Sequence, residues 1–155
     1  MFSYRGSTLL VPSETPVMAN SRVTMIDVPE IAPPAGMYSH VSHATELGLY
    51  FVAGQLAFDP SGNVVGKDDF GAQMRQVFAN LEGALKAAGC GFGDVLKFTT
   101  YMTRDSDLQA FMETRRELYA KIFPDGKYPP NTLLIISRLV KPECLIEIEA
   151  IAAKR

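Results

Sequence analysis

Two consecutive stretches decide how this chain folds: FGAQMRQVFANLEGALKAAG at residues 70–89 and DVLKFTTYMT at residues 94–103. In the first, Phe70, Met74, Val77, Phe78, Leu81 and Leu85 recur every three or four residues, which lays one apolar stripe along a helix. Gly89 stands where a left-handed residue would end that helix. In the second stretch the period falls to two. Leu96, Phe98, Thr100 and Met102 share one side of a strand, and Val95, Lys97, Thr99 and Tyr101 share the other. A second helix follows, capped by Asp105 or Ser106, with a stripe of Leu108, Phe111, Met112, Leu118, Tyr119 and Ile122. Pro124 and then Pro129 and Pro130 end it.

Working outward, residues 22–28, 38–44 and 49–55 read as strands, the last two joined by a hairpin at residues 45–48. Residues 59–63 are dense in turn chemistry, because Pro60 sets φ while Gly62 and Asn63 tolerate φ above zero. Downstream, residues 132–139 and 144–152 read as two more strands. The order β-β-β-α-β-α-β-β implies an α+β, two-layer sandwich: one mixed sheet with two helices on one face. The opposite face carries apolar groups and has no helix left to cover it. Packing against further copies of the chain is the expected solution.

The 155 residues are 47% hydrophobic and 21% charged, an ordinary globular composition that excludes a wholly disordered chain. One domain is expected over residues 22–155, with residues 1–21 an N-terminal extension outside it. Fifteen Lys and Arg against seventeen Asp and Glu leave a net charge of −2, which argues against a nucleic-acid binder that works by neutralising phosphates. No apolar run approaches the ~18–20 residues that cross a bilayer, so no membrane partner is expected. Cys90 and Cys144 form neither a C-x-x-C pair nor a secreted-type framework, and read as reduced thiols of a cytoplasmic protein. His40 and His43, three apart on an expected strand, point to opposite faces and so share no metal; they read as surface or interface residues.

Glu147 and Glu149 lie two apart on the last strand and therefore share a face. Carboxylates on a face due for burial need partners. Two readings stand: Glu147 positions water or relays a proton, or the pair is structural, bonded to backbone or to basic groups across a subunit interface.

Several segments then add up to a resemblance. Gly36-Met37-Tyr38, Phe51 to Gln55, Ala72 to Val77, Asn80-Leu81 with Ala87-Ala88-Gly89, and Leu145 to Ala152 follow in order and spacing the pattern of one family. The chain resembles the RidA/YjgF family of reactive-intermediate deaminases, also labelled L-PSP endoribonucleases or translation-initiation inhibitors, over residues 23–153. The resemblance implies a homotrimer of chorismate-mutase-like subunits with small-molecule clefts between neighbours. It also implies hydrolysis of small enamines or imines such as 2-aminoacrylate, with no metal or organic cofactor. By the same resemblance Glu147 is the acidic, catalytic site residue, and Tyr38, Ala53, Gly54, Asn131 and Thr132 line the substrate cleft. Ala53 replaces the usual Ser of a Ser-Gly-Gln motif, and Leu133 takes a position that is often Thr or Cys. Asn131 stands where the family carries a carboxylate-binding Arg.

That exchange has physical weight. A guanidinium pairs both oxygens of a carboxylate through a charged fork, whereas Asn offers a neutral amide on a shorter arm. The substrate is therefore expected to differ from 2-aminoacrylate, unless Arg138, Arg115 or Lys127 supplies the missing charge. A non-catalytic, metabolite-binding or chaperone-like trimer is the second reading. A ribonuclease ranks last, since the chain offers no catalytic histidine pair and no basic stacking surface.

Overall fold

A computed structural model describes residues 22–154; the N-terminal extension expected over residues 1–21 lies outside the described residues. Six strands, β1 (Val23–Ile26), β2 (Val41–Ala44), β3 (Leu49–Gln55), β4 (Val95–Met102), β5 (Asn131–Ile135) and β6 (Ile146–Ala153), form one sheet in the order β1-β2-β3-β6-β4-β5. Helices α1 (Phe70–Ala87) and α2 (Leu108–Ile122) complete the expected sequence of elements. The last strand thus inserts between β3 and β4, antiparallel to both, while β4 and β5 run parallel with α2 as their crossover. The expected α+β sandwich with a mixed sheet is the architecture observed.

The helix α1 forms where its stripe predicts. Asp69 caps it, its carboxylate accepting from Ala72 N at 2.9 Å. At the other end Gly89, at φ +69°, donates to Lys86 O, and Cys90 N donates back to Leu85 O. Met74, Val77, Leu81 and Leu85 are fully buried against Phe98, Ile146, Ile148 and Ala152 of the sheet. Two polar side chains of α1 are buried with them. Gln73 Nε2 donates to Gly66 O and to Glu143 O, and its Oε1 accepts from Leu145 N, tying the β5–β6 connection to the helix. Asn80 Nδ2 donates to Leu56 O and Phe58 O, tying down the segment after β3.

Five expectations need correction. The strand expected over residues 132–139 is β5, which ends at Ile135. Strand β2 begins at Val41 rather than Tyr38; the chain from Tyr38 to His40 is a loop beside Ile31 and Ala32, with the His40 ring bonded to Ala32 O. A bulge in β4, where Val95 opposes Ala152 but Lys97 opposes Ile151, turns Val95 inward and Leu96 out, reversing the alternation expected for that pair. The turn at Asp105–Asp107 is a 3₁₀ helix, so Asp107 rather than Asp105 or Ser106 precedes α2. Leu108 and Met112 are exposed; the buried side of α2 is Phe111 and Thr114, with Thr114 packed beside Gly71 at the first turn of α1.

Replacing Gln73 by Leu keeps the volume but leaves Leu145 N–H and Glu143 O without partners, while Gly66 O keeps its bond from Asp69 N. A loss of about 2–4 kcal/mol is expected in urea unfolding at fixed protein concentration. A loss below about 0.5 kcal/mol would show that these bonds do not hold the β5–β6 connection.

Candidate functional site

The strand β6 sorts its residues by parity. Ile146, Ile148, Ala150 and Ala152 are buried under the helices, and Glu147, Glu149, Ile151 and Ala153 lie on the opposite, open face. Rows across the sheet follow from the pairing. On the open face Glu147 sits beside Tyr101 and then Leu134, Glu149 beside Thr99 and then Thr132, and Ile151 between Lys97 and Phe51. Met25, Phe51 and Leu134 leave this face rich in exposed apolar surface, as the uncovered layer implies.

On the β3 side a bulge shapes the ground next to Glu147. Val52 opposes Ala150 and Gln55 opposes Ile148, so Ala53 and Gly54 together face Glu149. A Cβ at Gly54 would overlap the Glu147 carboxyl group, so this carboxylate lies where only a glycine backbone leaves room. The bulge is held from behind. Ala53 N donates to His40 O at 2.8 Å, and Gln55 Nε2 donates to Ala53 O at 3.0 Å and to His40 Nδ1 at 3.3 Å. His40 Nε2 lies 2.9 Å from Ala32 O, which can only accept, so the hydrogen is on Nε2 and Nδ1 is the acceptor. His40, expected on a strand as a surface or interface residue, is buried in a loop and braces the bulge, while His43 on β2 stacks on Tyr50. Tyr38 is exposed, meets His40 edge-on at 5.8 Å, and accepts from Ala35 N through its hydroxyl. Tyr38, His40, Gly54 and Gln55 line one small cavity of about 20 Å³.

No cation pairs with Glu147 among the described residues. Burial, and then the charge of Glu149, push its carboxyl above the usual carboxylate range. The phenol of Tyr101 is raised by its own loss of water and by the nearby carboxylates of Glu149 and then Glu147.

Asn131 is elsewhere. It opens β5 in the row of Phe98, on the helix face, and its Oδ1 accepts from buried Thr100 Oγ1 at 3.0 Å. Asn131 also lines a cleft of about 490 Å³ together with Met112, Arg115, Arg116, Tyr119 and Tyr128. Thr132, the next residue, is exposed and on the Glu147 face. Glu147, Ala53, Gly54 and Thr132 therefore share the open sheet face, Tyr38 flanks it, and Asn131 does not join them within one chain. The aromatic cleft between α2 and β5 escaped the sequence reading. Its only sequence signal is the i, i+4 series Phe111, Arg115, Tyr119, which says nothing of the 128–131 segment folding against it.

A two-layer α+β fold with an acidic open sheet face is the class these features define. The family model described as Endoribonuclease L-PSP matches residues 29–154, and the chain belongs to this RidA/YjgF family. It is 40% identical over 126 residues to a RutC family protein of Pyrococcus horikoshii, covering 81% of this chain and 94% of that one. The crystal structure of E. coli TdcF with bound serine superposes with TM-score 0.76 at 25% identity, over 85% of this chain and 99% of TdcF. The E. coli YjgF gene product superposes with TM-score 0.74 at 26% identity, over 85% and 99% of the two chains. No helix among the described residues is long and apolar enough to cross a membrane.

The raised Glu147 has a consequence for stability. A native pKa above the unfolded value means that ionisation opposes folding at neutral pH and ceases to matter once pH falls below the unfolded value. Glu147→Gln is therefore expected to melt higher than the parent at pH 7–8, with the gap closing toward pH 4. A gap that widens on acidification would contradict the assigned direction.

Proposed function

We propose that this protein hydrolyses small imines or enamines to a carbonyl compound and ammonia, in clefts formed between the subunits of a cytoplasmic homotrimer. The observation that carries this reading is Glu147: a carboxyl without a cation partner among the described residues, raised in pKa, over a glycine that leaves room beside it. Water adds to the carbon of the protonated imine as Glu147 takes one of its protons, giving a carbinolamine. Glu147 returns that proton to the nitrogen, and the C–N bond breaks to release ammonia as the hydroxyl sheds its own proton to become the carbonyl. The enamine first takes a proton on carbon to become the imine. Asn131, its oxygen held by Thr100, offers N–H donors to an acceptor on the substrate. Tyr38, Ala53, Gly54 and Thr132 form the wall around Glu147.

Two needs support assembly with further copies, here read as a trimer: cover for Met25, Phe51 and Leu134, and a way to bring Asn131 of one copy to Glu147 of another. TdcF, which was solved with serine bound, lends support to a small amino-acid-like ligand.

Imines generated in situ by an amino-acid oxidase, with ammonia release followed in time, test the reading. Glu147→Gln should lose about a hundredfold or more in kcat while light scattering still gives a trimer. Unchanged turnover in that variant would make Glu147 structural, and ligand binding with no turnover in the parent would make the protein a metabolite binder. Because the ionised carboxylate is the working form, the rate should fall as pH drops through the Glu147 pKa. Removing the like charge by Glu149→Gln should move that acid limb to lower pH; a limb that stays in place would assign it to another group.

A further inference from the structure

We propose that Arg115, on α2, binds the substrate carboxylate in the cleft beside Asn131, and that this cleft selects 2-imino acids with a bulky apolar or aromatic side chain. The proposal rests on the hydrolase reading for its chemistry, but its geometry stands apart from Glu147.

Of the three cations the sequence offers in place of the family Arg, two are spent elsewhere; Arg116, which also lines the cleft, is exposed and stacks on no ring among the described residues. Lys127 is exposed beside Asp125, and Arg138 is exposed and turns back to Leu139 O. Arg115 alone among the three lines the cleft that Asn131 opens onto. It carries no carboxylate partner among the described residues, yet it is held in place. Its guanidinium lies 4.9 Å from the Phe111 ring centre and 6.0 Å from that of Tyr119, and its Nη2 lies 3.0 Å from Met112 Sδ. Phe111 is itself core, so this cation is anchored to a rigid element. A stacked guanidinium whose remaining donors are unclaimed is prepared for a carboxylate. Asn131, with its oxygen fixed by Thr100, can add a second donor from the strand side.

The rest of the cleft sets the ligand's shape. Tyr119 and Tyr128 stand 5.4 Å apart at their ring centres and, with Met112 and the Pro129 ring, give an apolar wall. A volume of about 490 Å³ falls in the range of about 300–1,000 Å³ that suits ligands much larger than a three-carbon imine. Charge at one end and aromatic surface at the other fit an α-imino or α-oxo acid with a large side group.

Calorimetric titration of the intact protein with phenylpyruvate, the oxo acid of a phenylalanine-derived imine, tests this. The parent should bind phenylpyruvate at least tenfold more tightly than pyruvate. Arg115→Met should weaken phenylpyruvate by about ten- to a hundredfold, and Arg115→Lys, which keeps the charge without the stacked fork, should fall between. Lys121→Met removes a charge from the same helix outside the cleft and should stay within twofold of the parent. Circular dichroism establishes that each variant is folded. Failure of the parent to bind phenylpyruvate, equal binding of pyruvate, or Arg115→Met and Arg115→Lys within twofold of the parent would overturn the proposal. If binding depends on Arg115 but no imine is hydrolysed, the hydrolase reading fails and the anion site stands. If imino acids are hydrolysed equally well by Arg115→Met, the anion site fails and the hydrolase reading stands.

Discussion

The structure turns on one geometric constraint: along a strand, successive side chains go to opposite faces, and β6 is a central strand of the sheet, between β3 and β4. Its even-numbered residues, Ile146 through Ala152, are apolar and close the core against α1. Its odd-numbered residues begin with two carboxylates, which the same alternation forces onto the face without helices. One eight-residue segment thus fixes both the position of the core and the position of the acidic group. Changing the register of β6 by one residue would bury Glu147 and Glu149 under Met74 and Leu81, an arrangement the desolvation of two unpaired charges forbids.

The same parity divides the candidate site. Pairing carries the Glu147 row through Tyr101 to Leu134, and the Phe98 row to Asn131, so the two predicted site residues lie on opposite faces of one sheet. The bulge at Ala53 and Gly54 works locally against this regularity. By placing two residues opposite one, it brings a glycine under the Glu147 carboxyl and turns Gln55 inward to His40. Buried His40 and Gln55 therefore influence the acid through backbone placement, without touching it.

The fold was legible wherever periodicity alone decides. The 3.6-residue stripe of α1, the alternation in β6, the hairpin before Leu49 and the glycine after α1 appear as read, and so does the uncovered face. What was missed depends on partners that a linear pattern does not contain. The reversal of Val95 and Leu96 is a slip against Ala152 and Ile151, and the burial of Thr114 depends on the small Gly71 across the helix pair. The stripe of α2 includes Leu108 and Met112 only if any apolar residue at helical spacing is taken as inward. For the site, the shared face of Glu147 and Glu149 was legible from their spacing. The separation of Asn131 from Glu147 was not, since it follows from how β5 registers on β4. Arg115 was one of three candidate cations, and packing on Phe111 beside the 128–131 segment is what separates it from Arg138 and Lys127.

The central claim is that a working cleft takes Glu147 from one copy and the Asn131 side from another, and subunit mixing tests it most directly. Ala120 of α2 also lines the α2–β5 cleft, so a Trp there fills it. Glu147→Gln protein and Ala120→Trp protein are each measured alone and then after unfolding and refolding together in equal amounts. Random assembly of trimers gives about a quarter of the clefts an intact half from each parent, so activity should reappear at roughly that fraction of the unsubstituted protein. Activity no greater than that of the two inactive proteins measured alone would contradict a site shared between copies.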